Sequence, residues 1–527
     1  MAIPNTIGVV GAGTMGAGIA QLAAQAGART LLHDPVPEAL ERGLATIAAG
    51  LDRQVSRGRL DAAEAAAIRA RVEPAASLDA LAPCGLVIEA APERLELKLD
   101  LFARLAEITA PDCVFATNTS SLSVAEIAAG TPRPERVVGL HFFNPAPVMR
   151  LAEVVPGVAT APEVVATARA VGEAMGKRVI DAADVAGFLV NRVNRPFFLE
   201  ALRVVQDGQA TVEQVDRAMR MGGGFRMGPF ELMDLIGIET NHAVAEGFYR
   251  QTLEPRYRPS PLAARMVAAG RLGRKTGQGW YRYGDGDGRP ADPEPPAAGG
   301  GDGRPLAIDG DGPALDALRT AARAAGWDVG AHAEPYLAIA AAGAAGAAGA
   351  GGAAGAGGAA GAGGAAGAGG TAPRALFLAG ASLHLSDPRA VGIHLLAPFD
   401  GARLVELTRT EASDPVAAER AEELVRTLGR HPEWVGDGPG LVLGRVVAQL
   451  VNEAAFLIGE GNGAPEDVDA GMELGVNHPR GPVAWSAALG GAHVLAILDG
   501  LQQELREERY RAAPLLRRRA ALGLALA

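Results

Sequence analysis

The sequence predicts an α/β domain built on a parallel sheet, then an all-α domain, then a truncated α/β repeat and a second all-α domain. Three observations carry that prediction. From Thr6 to Ile180 short β-branched runs alternate with longer amphipathic segments, the pattern of βαβ units around a parallel sheet. After Gly187 the strands stop and helical periods follow one another. Finally, VGLHFFNPAPVMRLAEVV at 138–155 returns as VGIHLLAPFDGARLVELT at 391–408, a shift of 253 positions. The shift persists without a gap from Gly187 and Gly440 through Glu200 and Glu453 to Gly228 and Gly481, which marks an internal repeat.

In order, the predicted strands are Thr6–Val10, Arg29–His33, Leu86–Ala90, Cys113–Thr117, Val137–His141 and Lys177–Ile180, with helices starting near Met15, Pro37, Leu95 and Pro162. Helices are then expected over Asn191–Gln206, Val212–Met219, Pro229–Leu235 and Asn241–Tyr249. Residues 284–304, GDGDGRPADPEPPAAGGGDGR, hold too few apolar groups to bury a core and read as a linker. In the second copy, Gly310 to His394 spans 84 residues against 130 from Gly11 to His141, and 31 of the 84 are the Ala/Gly tract 340–370. A truncated, non-binding remnant is the expectation. The domain limits follow as 1–184, 185–284, a linker 285–304, the shortened repeat 305–435 and a second helical domain 436–527.

Hydrophobic residues make up 48% and charged residues 21% of the 527, enough for large cores and unlike a disordered chain. Lys and Arg number 49 against 60 Asp and Glu, a net charge of −11, so no overall field draws in nucleic acid or an anionic membrane. Neither partner is expected. Only Cys84 and Cys113 are present, and no apolar leader follows Met1, which points to a reducing, cytoplasmic setting. The uncharged run from Pro335 to Pro373 is mostly Ala and Gly and reads as a flexible linker, not a membrane span. No metal is expected.

The segment TIGVVGAGTMGAGIA places Gly11-x-Gly13-x-x-Gly16 after an apolar strand and at the start of a helix, the context of a dinucleotide-binding Rossmann loop. Gly11, Gly13, Thr14, Met15 and Gly16 are its candidate residues, their N–H groups facing a pyrophosphate. Asp34 closes the second strand, eighteen residues after Gly16. A carboxylate there accepts hydrogen bonds from an adenosine ribose and repels a 2′-phosphate, so NAD is expected over NADP.

A second constellation is His141 in GLHFFNP and Glu153 in RLAEVV, twelve residues apart across Pro145 and Pro147. Two extended runs joined by such a turn can bring both side chains together. A carboxylate on one ring nitrogen fixes the tautomer and leaves the other to take a proton from an alcohol. The alternative reading is a histidine packed in an apolar run and satisfied by backbone.

At these residues the chain resembles the 3-hydroxyacyl-CoA dehydrogenases, through GAGTMGAGIA, EAAPERLELK, ATNTSSLSV, GLHFFNP, GFLVNRV, GPFELMDLIG and GRKTGQGWYRY, in register from about Thr6 to Tyr283. The resemblance implies oxidation of (S)-3-hydroxyacyl-CoA to 3-oxoacyl-CoA with NAD, and a homodimer. It implies His141 as the base, Glu153 as its orienting partner, and Ser120 and Asn191 on the substrate oxygens. It puts Asp34, Glu93, Lys98, Ser120 and Lys275 along the NAD, with Asn118 near the nicotinamide. It directs Arg53 and Arg57, with Arg59, toward the CoA, where a guanidinium fork suits phosphate. The doubled layout resembles the dehydrogenases of aromatic-acid breakdown, with 3-hydroxyadipyl-CoA or 3-hydroxybutyryl-CoA as substrate.

The second copy departs from this pattern. His394 and Glu406 keep the spacing, but Asn191 maps to Gly444, Asn144 to Ala397, and the third glycine of the fingerprint to Leu315. One active site per chain is expected. The sequence leaves two other readings: a non-catalytic NAD-binding relative, and a dehydrogenase of free 3-hydroxy acids.

Overall fold

A computed structural model describes residues 3–284, 288–342 and 372–527. The chain forms two compact units, Met1–Val193 with Glu460–Asn477, and Asn194–Gly459 with His478–Ala527.

The first unit holds an eight-stranded sheet. Its strands are β1 (Thr6–Val10), β2 (Arg29–His33), β3 (Val72–Ala75), β4 (Leu86–Glu89), β5 (Val114–Thr117), β6 (Val137–Phe142), β7 (Leu151–Pro156) and β8 (Arg178–Asp181), in the order β3-β2-β1-β4-β5-β6-β7-β8. All neighbours are parallel except β6 and β7. β4, β5 and β6 are buried along their whole length, as expected for strands covered on both faces. Ile7, Val9, Ile19, Leu32, Ile88 and Leu140 share one core. The chain runs outward from β1 to β2 and β3, then returns to β4 on β1's other side. That reversal opens the crevice where ligands of such sheets bind.

The predicted strands are all present, with ends moved by a residue. β3 and the helices Ala62–Ala70 and Val124–Ala129 escaped the sequence reading. β3 reads VEPA, whose proline belongs at a sheet edge. Ala62–Ala70 is started by Asp61, whose carboxylate accepts from Ala63 N and Glu64 N.

The helix Pro465–Gly475 completes this unit, packing on β7, β8 and the turn Val190–Val193.

In the second unit the expected helix over 191–206 is broken at Asn194 into Val190–Val193, which belongs to the first unit, and Arg195–Gln206. Val212–Arg217 widens into a π turn at Ala218–Gly222, and the last predicted helix spans Ile238–Thr252. A seven-stranded sheet follows: β9 (Pro305–Asp309), β10 (Asp328–Val329), β11 (Leu337–Ala341), β12 (Arg374–Phe377), β13 (Val391–His394), β14 (Leu404–Thr408) and β15 (His431–Trp434), ordered β10-β9-β11-β12-β13-β14-β15. This is the order of the first sheet without the counterpart of β3, so more sheet survives than the residue count suggested. The shortening falls between β10 and β11, where 330–336 replaces two helices and an edge strand. Part of the run read as linker is therefore β11; the Ala/Gly residues 343–371 lie outside the described residues.

Residues 288–304 hold no helix or strand, but Arg220 grips Asp292 at 2.5 Å and Arg289 grips Glu231 at 3.0 Å. Among the described residues no single helix is long and apolar enough to cross a membrane; one pair, Pro482–Leu489 and Gly491–Leu505, reaches that length together but is bent by 99°.

Candidate active site

The glycine loop sits where β1 ends. Gly11 has φ +97°, and a Cβ there would collide with the Ala90 carbonyl. A Cβ on Gly16 would collide with the Gly11 carbonyl, so the helix Thr14–Gln25 can lie this close to the strand only with glycine. Gly13 is the N-cap of that helix; among the described residues no side chain caps it, and none stands within 4 Å of where its Cβ would be. The first N–H groups, those of Thr14 and Met15, thus open onto a space a phosphate can enter. Asp34 is fixed beside them, Oδ2 accepting from Ala12 N at 2.8 Å and Oδ1 from Val36 N at 3.0 Å. These residues fit a dinucleotide.

Across the crevice, Glu89 at the end of β4 is fully buried and accepts from Ala91 N at 2.7 Å, Thr117 Oγ1 at 2.6 Å and Lys98 Nζ at 2.6 Å. Lys98 also reaches Glu93 Oε2 at 3.3 Å. Its side chain is enclosed, only 1% exposed. Glu93 Oε1 accepts from Thr119 Oγ1 at 2.6 Å, Ser120 N at 3.0 Å and Ser121 Oγ at 2.9 Å. Burial opposes its charge, yet Lys98 and these donors hold its carboxyl below the ordinary range. The Ser120 hydroxyl lies 3.5 Å from the same oxygen. Asn118 Oδ1 accepts from Phe142 N at 2.8 Å, tying the end of β5 to the residue after His141.

His141 and Glu153 face each other in register on antiparallel β6 and β7. Glu153 Oε2 meets His141 Nδ1 at 2.6 Å, while Oε1 accepts from Leu189 N at 3.1 Å and Val190 N at 2.9 Å. The carboxylate is fully buried and the imidazole 7% exposed. With Nδ1 engaged, Nε2 is the nitrogen left to exchange a proton with a substrate. Asn191 follows Val190, on the same short turn that holds Glu153. Phe143 lies against the ring at 4.6 Å between centroids.

His394 and Glu406 show what this geometry is not. They also face each other in register, on β13 and β14, but stand 3.8 Å apart. His394 is wholly buried, neither ring nitrogen has a hydrogen-bond partner among the described residues, and burial pulls it down to about 3. Burial pushes Glu406 up to about 8. Phe377 and His493 stack on the ring, and a Cβ at Gly444, where the first copy has Asn191, would collide with it. At the remnant loop Leu315 is buried in the core, and Pro313 opens the helix without an N–H to offer.

Arg53, in the last turn of Pro37–Ser56, and Arg57 just beyond it are exposed. Lys275 belongs to the second unit and is ion-paired with Glu239 there. Three contributors escaped the sequence reading. Glu89 falls in the predicted strand Leu86–Ala90, where its role is not read. Asp184 accepts from Ser123 Oγ, Val124 N and Ala125 N, starting the helix behind the serine loop. Lys177 donates 2.7 Å bonds to the Ala146 and Met149 carbonyls of the β6–β7 turn, and burial pulls its ammonium down to about 8. The signal for Asp184 was an acid next to small residues in AADVAG; for the other two the sequence carries none.

Comparison with known proteins bears on all of this. Residues 6–185 match the family model of the 3-hydroxyacyl-CoA dehydrogenase NAD-binding domain, and residues 187–283 and 440–525 match that of the C-terminal domain. The 3-hydroxyadipyl-CoA dehydrogenase of Escherichia coli (strain K12) is 37% identical over 519 residues, 98% of each chain. The 3-hydroxybutyryl-CoA dehydrogenase of Bradyrhizobium diazoefficiens is 40% identical over 282 residues, 54% of this chain and 96% of its own. A crystal structure described as 3-hydroxybutyryl-CoA dehydrogenase from Escherichia coli K12 matches with TM-score 0.83 and 35% identity over 99% of both chains. Likeness that runs the length of the chain and takes in both domain types settles the assignment: the chain belongs to the 3-hydroxyacyl-CoA dehydrogenase family and is an NAD-dependent oxidoreductase.

Proposed function

We propose that one active site per chain, in the first unit, oxidises a (S)-3-hydroxyacyl-CoA to the 3-oxoacyl-CoA with His141 as general base. The observation that carries this is the contrast between two pairs of equal spacing. His141 is held by Glu153 at 2.6 Å and keeps some exposure, while His394 is sealed and 3.8 Å from Glu406. His141 Nε2 takes the proton of the 3-hydroxyl, and Glu153 stabilises the imidazolium that forms. Ser120 and Asn191 hold the oxygen as it becomes a ketone. Glu93, Asn118, Asp34 and the loop Gly11 to Gly16 bind NAD, with Lys98 supporting Glu93. NAD, when bound, supplies the acceptor for the hydride leaving C3. Arg53 and Arg57 reach the CoA phosphates.

Substrate choice follows the names of the relatives: 3-hydroxyadipyl-CoA or 3-hydroxybutyryl-CoA. The chain is an internal duplication whose second half has lost its chemistry, a reading supported by the shared strand order and by the C-terminal domain model matching twice. A homodimer in the cytoplasm completes the proposal, and light scattering tests the dimer.

The decisive experiment is His141→Gln. In a folded, NAD-binding variant turnover falls about a hundredfold or more, the usual scale for a lost general base; turnover near that of the unaltered chain rejects the assignment. A series of C4 to C10 hydroxyacyl-CoA esters, 3-hydroxyadipyl-CoA and the free acids defines the substrate.

A further inference from the structure

The second half of the chain, silent in its own chemistry, supplies a piece of the first unit. Pro465–Gly475 comes from the far end of the chain and lies against the residues that hold the catalytic pair. At Gly475 a Cβ would stand 2.8 Å from Leu151 Cδ2, 3.4 Å from Val190 Cγ1 and 3.5 Å from Phe143 Cε1. At Gly471, one turn earlier, it would stand 2.9 Å from Val190 Cγ2 and 3.0 Å from Leu189 Cδ2. Leu189 and Val190 donate the two N–H bonds that fix Glu153, and Phe143 lies on the His141 ring. Charged clamps flank the helix: Arg192 with Glu460 at 2.8 Å and Arg178 with Asp467 at 3.6 Å.

Several of these contacts recur with the halves exchanged. Gly222, 253 positions before Gly475, packs in the second unit on Leu443 and Leu404, the counterparts of Val190 and Leu151. Leu443 N donates to Glu406 as Val190 N does to Glu153. Arg445 pairs with Asp207 at 3.0 Å, mirroring Arg192 with Glu460. Glu200 accepts from Tyr510 at 2.9 Å, mirroring Glu453 with Tyr257. This reciprocity, in which i meets j and j meets i, is the signature of an isologous interface, here drawn inside one chain.

We propose that Gly475 and Gly471 are positioning residues for the reaction: through Val190 and Phe143, the second half of the chain sets the geometry of Glu153 and His141. The inference rests on the site read above. Without a side chain at these positions the helix backbone sits directly on the Val190 turn, so a methyl added there is felt at the carboxylate one bond network away. The mirrored Gly222 transmits the same displacement to a pair that does nothing.

That mirror provides the test. In the full-length chain, Gly475→Ala and Gly475→Val are compared with Gly222→Ala and Gly222→Val, each with its melting temperature, kcat, KM, NAD dissociation constant and pH profile of kcat/KM. The expected result is that Gly475→Ala lowers kcat roughly tenfold and Gly475→Val up to a hundredfold, the scale of an ångström-level misplacement. NAD affinity holds, and the acid limb of the profile moves. The Gly222 variants lose comparable thermal stability while kcat and profile stay. Equal effects on kcat from the two positions, or a folded Gly475→Ala with unaltered kcat and profile, overturn the proposal. Should neither Gly475 variant fold, Glu460→Gln, which weakens the clamp on Arg192 without adding volume, must lower kcat in the same way or the proposal fails. His141→Gln is run in parallel. If it keeps its turnover the reading of the site is wrong, whereas an inactive His141→Gln beside matching glycine variants sinks only this inference.

Discussion

Glu153 uses its two oxygens for different ends, one on His141 and one on the backbone of Leu189 and Val190. A buried carboxylate held only by the imidazole would swing with it; held also by two N–H groups, it presents a fixed acceptor and so dictates which nitrogen carries the proton. Glu153→Gln keeps the shape and part of the backbone clamp but can turn an N–H donor toward Nδ1, which protonates Nε2 and removes the base. Steady-state kinetics should show turnover down by roughly 10² to 10⁴-fold with NAD titration little changed. This pair was legible in the sequence because a proline turn between two short apolar runs makes a hairpin, and a twelve-residue separation then falls on one register. Glu89 was not legible, because a lone acid at a strand end looks solvated until packing encloses it; Lys98, which the resemblance puts along the NAD, is the group that encloses it.

The glycine-started helix shows what a single element supplies. Its first turn has no side-chain cap, so its N–H groups stay available for an anion. Gly13→Val adds a side chain into open space, leaving the fold intact but covering that turn. NAD affinity measured by fluorescence titration should drop about tenfold, ~1.4 kcal/mol, with the melting temperature unmoved; unaltered affinity would show that the phosphates bind elsewhere. Elements with a clear period, such as β1, β2 and Pro37–Ser56, could be read directly. β3 could not, since four residues with a proline carry no alternation. The second sheet was underestimated because counting residues assumes every crossover keeps its helix, whereas β10 is two residues long and 330–336 leads straight to β11.

At the scale of the molecule, acid sensitivity is concentrated in the second unit. Burial pulls His394, His478 and His493 each down to about 3. The unfolded chain protonates them near pH 6.5, the folded chain only near 3, so their contribution is complete above about 6.5 and is lost as pH falls toward 3. Glu406, which burial pushes up to about 8, takes its proton first in the folded chain and offsets part of this, so thermal melts should weaken below pH 6.5 by less than the three histidines alone imply, and His394→Phe, placed beside Phe377 and His493, should flatten that slope. The repeat was visible in sequence as a constant shift; the exchange of helices between its halves was not, because it depends on which glycine meets which leucine in space. That exchange reaches back to how the protein is made. A nascent chain that has cleared the ribosome through Val193 still lacks Pro465–Gly475, about 270 residues further on, or roughly 15 to 50 s of elongation. Until then the face of β7, β8 and Val190–Val193 on which that helix packs stands uncovered.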